Sequence, residues 1–329
     1  MDARSWRAIA PWAGLAALVV LPLVLRDRYL VHLLVMAGIF VILSSSWNLL
    51  AGYTGQLNLG HAAFYGIGAY TSALLAIKLG ISPWLGLVLG GLVAACFGLL
   101  LGVPALRLSG PYLAITTIGF AEILRLVAMN WVDLTRGSLG LYGIPPLTPI
   151  PLPGGKSLTF TSEVSAYYVI LVLCLLSLAC CRRLVNSDFG ISARSLRDDE
   201  MAAASVGIDV NAYKLAIFML SAFFAGLAGA FFAHYQRLVS PDTLSTAETF
   251  TILTMVMLGG LGTLTGPVVG AVVLTFLAEG LRFVEDWVKM DVRLIIYGLL
   301  LILTILFMRG GMVGLFDRFR RPAAQPGRE

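Results

Sequence analysis

Nine stretches of this chain are each 17 or more residues long and almost free of charge: 8–25, 29–50, 61–79, 84–105, 112–130, 165–181, 213–235, 264–284 and 292–308. A helix needs about 20 apolar residues to cross a bilayer's hydrocarbon core. Lipid offers no partner to exposed backbone N–H and C=O groups, so such segments must be helical. The pattern leaves one fold class, an all-α membrane protein: a polytopic transmembrane helical bundle of about 8–10 spans with broken or re-entrant segments. A shorter apolar stretch, 247–258, adds either a short crossing or a re-entrant piece. Charged residues make up 12% of the chain, about half the proportion that coats a soluble domain.

Loop charge sets the expected orientation. The 182–214 connection carries Arg182, Arg183, Arg194, Arg197 and Lys214, and the tail carries Arg309, Arg318, Arg320, Arg321 and Arg328. The long 131–164 connection has only Arg136 and Lys156. The positive-inside rule places the first two in the cytoplasm and the third outside, with Arg26 and Arg28 in the first loop dissenting. Returning the tail to the cytoplasm requires either that 247–258 crosses or that 264–284 is re-entrant. The expected division is a permease domain over 1–310, holding a cytoplasmic coupling loop at 182–212 and the external loop 131–164, followed by a flexible basic cytoplasmic tail over 311–329. Arg4 and Arg7 precede the first apolar run as in a signal peptide, but no small-x-small site closes it, so a retained span is expected.

The net charge of +5 belongs to these loops. No basic and aromatic module points to nucleic acid. Cys96, Cys174, Cys180 and Cys181 lie in or at the ends of apolar segments without metal or disulfide spacing, and are expected as buried small hydrophobes. His32, His61 and His234 show no ligand spacing, so no metal is expected. The chain lacks Walker motifs, HExxH and any Ser/His/Asp arrangement, which leaves it without catalytic residues.

Two glycine-rich breaks interrupt the apolar pattern. In "NLLAGYTGQLNLGHAAFYGIGAYTSALL" (48–75), Gln56, Asn58, His61 and Tyr65 put polar groups where the chain enters the membrane. In "MVMLGGLGTLTGPVVGAVVL" (255–274), Gly259 and Gly260 open a second break. Two readings stand for the first: a broken helix lining a translocation path, or a small-residue packing seam with a re-entrant turn. Paired breaks in two halves suggest pseudo-symmetry about a path. Glu122 and Arg125 lie mid-span, three residues apart on one helical face. They are read either as a structural ion pair or as a proton relay or substrate contact. The tentative path is therefore Gln56, Asn58, His61, Tyr65, Glu122, Gly259 and Gly260.

The stretch "ARSLRDDEMAAASVGIDVNAYKLAIF" (193–218) crowds charges ahead of an alanine run. A merely solvated loop needs no such run. Charges that fix register, followed by small side chains over which a partner's groove can close, suit a short surface helix that docks another protein. The expected docking residues are Arg197, Asp198, Asp199, Glu200, Ala202, Ala203 and Gly207. The stretch resembles the coupling-helix loop of ABC-importer permeases, Glu-Ala-Ala, three residues, then Gly. Ala202, Ala203 and Gly207 match it, while Met201 occupies the Glu position, the acid sits one residue earlier as Glu200, and the family's later Leu-Pro is absent.

With "GYTGQLNLGHAAFYGIGAY", "SGPYLAITTIGFAEILR", "NSDFGISARSLRDDEMAAASVGIDV" and "VMLGGLGTLTGPVVGA", the chain over 40–310 resembles the branched-chain amino acid ABC permeases of the LivM type, sister to LivH. That resemblance implies a bacterial inner-membrane transport subunit with membrane lipids around it, a LivH-type sister permease and two cytoplasmic ATPase subunits that use the ATP. A periplasmic or lipoprotein solute-binding protein would deliver leucine, isoleucine, valine or a related amino acid. No cofactor is implied in the chain itself. Two alternatives remain: an ABC permease for urea, an amide or a sugar, and a secondary transporter or channel using Glu122 and Arg125.

Overall fold

In this computed structural model the described residues run from 16 to 314, apart from 26, 106–107, 109, 152–156, 159, 161, 289–292 and 309. The leading residues with Arg4 and Arg7 lie outside them, as does the basic tail from 315 onward; 311–314 form a helical turn. The helices are α1, helical over the described residues 16–24, then α2 (Arg28–Thr54), α3 (His61–Leu79), α4 (Pro83–Ala105), α5 (Pro111–Asn130), α6 (Val132–Thr135) and α7 (Glu163–Val185). They continue as α8 (Asp188–Asp198), α9 (Glu200–Ser205), α10 (Val210–Gln236), α11 (Thr246–Gly259), α12 (Gly266–Val288) and α13 (Arg293–Phe307). Among the described residues six helices (α2, α3, α4, α5, α7 and α10) are long and apolar enough to cross a membrane. Apolar segments of α11, α12 and α13 are shorter.

The sequence marks these boundaries with capping chemistry. Asp27 caps α2 by accepting from Tyr29 N, Ser162 caps α7 through Ser165 N, and Asp209 caps α10 through Ala212 N. Pro111 opens α5, where its missing N–H removes no helical bond. Gly55 and Gly80 end α2 and α3 with φ of 72° and 62°, which the absence of a Cβ permits.

Connections gather on two faces. One face holds the charged 186–209 segment. The other is capped by the 131–162 connection, whose β1 (Leu141–Tyr142) pairs antiparallel with β4 (Leu238–Val239), Leu141 opposite Val239. A second small ladder joins β2 (Ile150–Pro151) to β3 (Ser157–Leu158). The cap is fastened by His234 Nδ1 to Pro145 O at 2.7 Å and by Trp84 Nε1 donating to Thr148 O at 3.0 Å. The described part of this connection is thus a packed cap. Helix α10 rises from the charged face to the cap. Helix α11 leaves the cap beyond a 3₁₀ turn at Pro241–Leu244 and ends beside the charged segment. The 247–258 stretch therefore runs toward the charged face, preceded by that turn, which dips inward until Leu244 packs on Gly66.

Helices α3, α4 and α10 form the tightest block. A Cβ at Gly68 of α3 would collide with the Gly226 backbone of α10, and one at Gly90 of α4 would lie 2.9 Å from Gly68 O. Dispersion between closely apposed backbones holds helices together where lipid supplies no hydrophobic drive. Trp47, Phe64, Phe218 and Phe231 fill the centre. Cys174 and Cys181 are buried as expected, but Cys96 and Cys180 are exposed. They sit on outer faces of α4 and α7, because lipid tolerates a small apolar side chain there. Gly68→Val should force α3 and α10 apart at a cost of about 1–3 kcal/mol, read as a lowered midpoint in thermal denaturation of the detergent-purified protein.

Candidate functional site

Beyond Gly55 the chain folds back along α2 as non-helical backbone before α3 begins. Trp47 Nε1 donates to Asn58 O at 2.7 Å, and Gly60 N donates to Asn58 Oδ1 at 2.8 Å. Thr117 of α5 accepts from Leu59 N at 3.0 Å, and Thr249 of α11 accepts from Ala62 N at 3.0 Å. These bonds replace the water that buried irregular backbone would otherwise require. Ser46 Oγ donates to Leu43 O at 2.8 Å and lies 3.0 Å from His61 Nε2. Asn58 and His61 are wholly enclosed, and Asn58 Nδ2 and His61 Nδ1 have no hydrogen-bond partner among the described residues. Gln56 is buried beside Thr54 at 3.3 Å, and Tyr65 is buried against the Phe232 ring, 5.4 Å between centroids.

The second break meets the first. Asn48 Oδ1 accepts from Gly262 N and Asn48 Nδ2 donates to Thr263 O, both at 2.8 Å. Gly259 is packed against Gly266, and Gly260, with φ of 130°, lies under Gly310 and Gly311. The α2–α3 and α11–α12 breaks are therefore joined through one asparagine.

The charged segment reaches into this junction. Helix α8 is anchored by Ala193 and Leu196, by Phe189 stacked on Tyr213 at 4.7 Å, and by Arg194 over the Tyr53 ring at 5.2 Å. Arg197 Nη1 donates to Gly52 O at 2.6 Å and lies 2.8 Å from where a Gly262 Cβ would stand. Asp199 caps α9 through Met201 N and Ala202 N. Glu200 forms an ion pair with the largely buried Lys214 of α10. Ala203 is buried, whereas Asp198, Met201, Ala202, Ala204, Ser205 and Val206 face outward, and Gly207 turns the chain at φ of 89°. Arg197, Glu200 and Ala203 thus tie the element to the bundle while Asp199 caps α9, and the exposed surface joins the charges of 197–200 to a small, mostly apolar patch over 201–206.

Glu122 stands apart from Asn58 and His61. Thr117 and Ala121 face the 58–60 turn, which leaves Glu122 about 100° further round α5, on a partly exposed edge. There it accepts from Arg125 Nη2 at 2.7 Å and Nε at 3.0 Å. The sequence reading passed over Asn48, Ser46, Thr117 and Thr249, and counted Lys214 only as a loop charge. A run of Ser44, Ser45, Ser46 and Asn48 inside an apolar span was the available signal. Among the described residues no group of three or more His, Cys, Asp or Glu side chains is arranged to hold a metal.

Two broken hairpins joined at one face, clamped there to a charged helical pair and capped on the other, define a multi-pass membrane transport subunit. Residues 29–305 match the model of a family described as branched-chain amino acid transport system / permease component. The high-affinity branched-chain amino acid transport system permease protein LivM of Salmonella typhimurium is 36% identical over 304 residues, covering 87% of this chain and 70% of that protein. LivH of Escherichia coli is 25% identical over 291 residues, covering 84% and 91%. The nucleoside ABC transporter permease protein NupC of Lactococcus lactis is 25% identical over 192 residues, covering 54% and 59%. The chain belongs to the family of permease components of branched-chain amino acid transport systems.

Arg197→Ala strands the Gly52 carbonyl and releases the junction, a loss of about 1.5–3 kcal/mol for a hydrogen bond to a charged group. Hydrogen–deuterium exchange should quicken in 52–56 and 260–265 and stay unchanged in the cap at 137–148.

Proposed function

We propose that this chain is one translocating subunit of an ATP-driven importer of branched-chain or related small amino acids in a bacterial inner membrane. The observation that carries the reading is the 36% identity to LivM over 304 residues. In this reading the permease domain covers 1–310, α8–α9 and the C-terminus lie in the cytoplasm, and the cap faces outside. The loop charges support that orientation. A LivH-type sister permease completes the conduit, and an external solute-binding protein docks on the cap. Two cytoplasmic ATPase subunits hydrolyse the ATP, and this chain has no catalytic residues or cofactor of its own.

The exposed Met201, Ala202, Ala204, Ser205 and Val206 suit a groove on an ATPase subunit. Closure of the ATPase pair on ATP pushes α8–α9. Arg197 passes that displacement to the junction of the two breaks and Lys214 passes it to α10, tipping the bundle between outward- and inward-facing states.

A second reading, a nucleoside as solute, draws on the likeness to NupC, which is shorter and weaker. Uptake of radiolabelled leucine and uridine by proteoliposomes holding the whole transporter separates them: leucine uptake that stops on ATP depletion is expected. Uptake sustained by a proton gradient alone would overturn the ATP-driven reading. The double substitution Met201→Glu/Val206→Glu should reduce co-purification of the ATPase by about tenfold or more, while the protein remains membrane-inserted, measured by pull-down from solubilised membranes.

A further inference from the structure

Helix α5 is the least enclosed of the six long spans, with 28% of its apolar window buried against 67% for α2 and α10. An exposed stripe runs along it through Tyr112, Ile115, Gly119, Ile123 and Leu126. Glu122 and Arg125 sit on the edge of that stripe, their side chains 40% and 27% exposed. At 1.5 Å per residue Glu122 lies about 17 Å from the Pro111 end and about 12 Å from the Asn130 end. Charges at such depth face protein or a water-filled path, not lipid.

We propose that the Glu122–Arg125 pair is a recognition point for the ammonium and carboxylate groups of a zwitterionic amino acid on its way through the conduit. The inference rests on the amino-acid reading above and assigns atoms to it. Glu122 takes the ammonium. Arg125 takes the carboxylate with N–H donors outside its fork with Glu122, where Nη1 gives up its 3.4 Å contact with the weak acceptor Met129 Sδ.

Three observations fit this occupant. The ion pair and a zwitterion are each neutral in themselves, so the zwitterion brings no net charge into a low-dielectric space. Nothing lies within 4 Å of where a Gly119 Cβ would stand, one helical turn from Glu122, which leaves clearance beside the carboxylate. Ile115, Ile123 and Leu126 offer apolar surface to an aliphatic side chain. The exposed Asp242, on the 3₁₀ turn that packs against α5, is within electrostatic reach of Arg125 and adds an acid toward the capped face.

The test uses the whole transporter in proteoliposomes with L-leucine as the probe. Glu122→Gln/Arg125→Met removes both charges together and strands neither. Glu122→Arg/Arg125→Glu keeps an ion pair of reversed polarity. Both variants are expected to co-purify with the sister permease and to take up leucine roughly tenfold or more slowly than wild type. Uptake within about twofold of wild type in either variant overturns the proposal, the reversed pair then being only a structural bridge. Loss of co-purification in both overturns it too, because the pair is then needed for assembly. Wild-type uptake of uridine without leucine contradicts the amino-acid reading itself, and it is seen before any variant is made.

Discussion

The fold depends on one hydrogen-bonding problem solved inside a bilayer-spanning bundle. Six residues from Gly55 to Gly60 leave the helix and run back beside α2, which exposes backbone polar groups at a depth where lipid gives them nothing. Trp47 and Thr117 each take one of these groups, Asn58 closes the turn on itself, and Thr249 takes the Ala62 N–H in the first turn of α3. Those side chains come from α2, α5, α11 and the turn. Helices far apart in the chain are thereby held at a common level. Remove the back-folded segment and these helices lose the reason for their relative heights.

The second break is tied to the first rather than solved alone. Asn48 pairs with Gly262 and Thr263 while Arg197 caps Gly52. One side-chain amide and one guanidinium thus gather the end of α2, the α11–α12 turn and the charged helical pair into one node. The node sits at the face to which the loop charges also point. At that node, displacement applied at the surface of α8–α9 meets backbone that has no helix to resist it.

Much of this was legible in residue order. The apolar segments marked every long span to within a few residues, because a helix in lipid is bounded by where polar residues begin. Both glycine breaks were visible, as was the helical character of 193–207. The directions of Arg197 and Glu200 were not. Charged residues on a surface helix read as outward contacts, yet these two, while exposed, also bond back to Gly52 O and to Lys214 of the bundle. Nor could the alanine run say which of its members is buried, since three identical side chains carry no facial information and only Ala203 packs inward. Asn48 was missed for a related reason. Its partners lie 214 and 215 positions away in the chain, and no local pattern encodes that distance.

The glycine contacts among α3, α4 and α10 have a mechanical consequence. Side chains that interdigitate can exchange one rotamer for another and let two helices slide, but Gly68 against Gly226 has no rotamers to exchange. Such an interlock either holds or separates. The three helices therefore behave as a stiff chassis, and the compliance that transport demands falls to the looser elements hung around it.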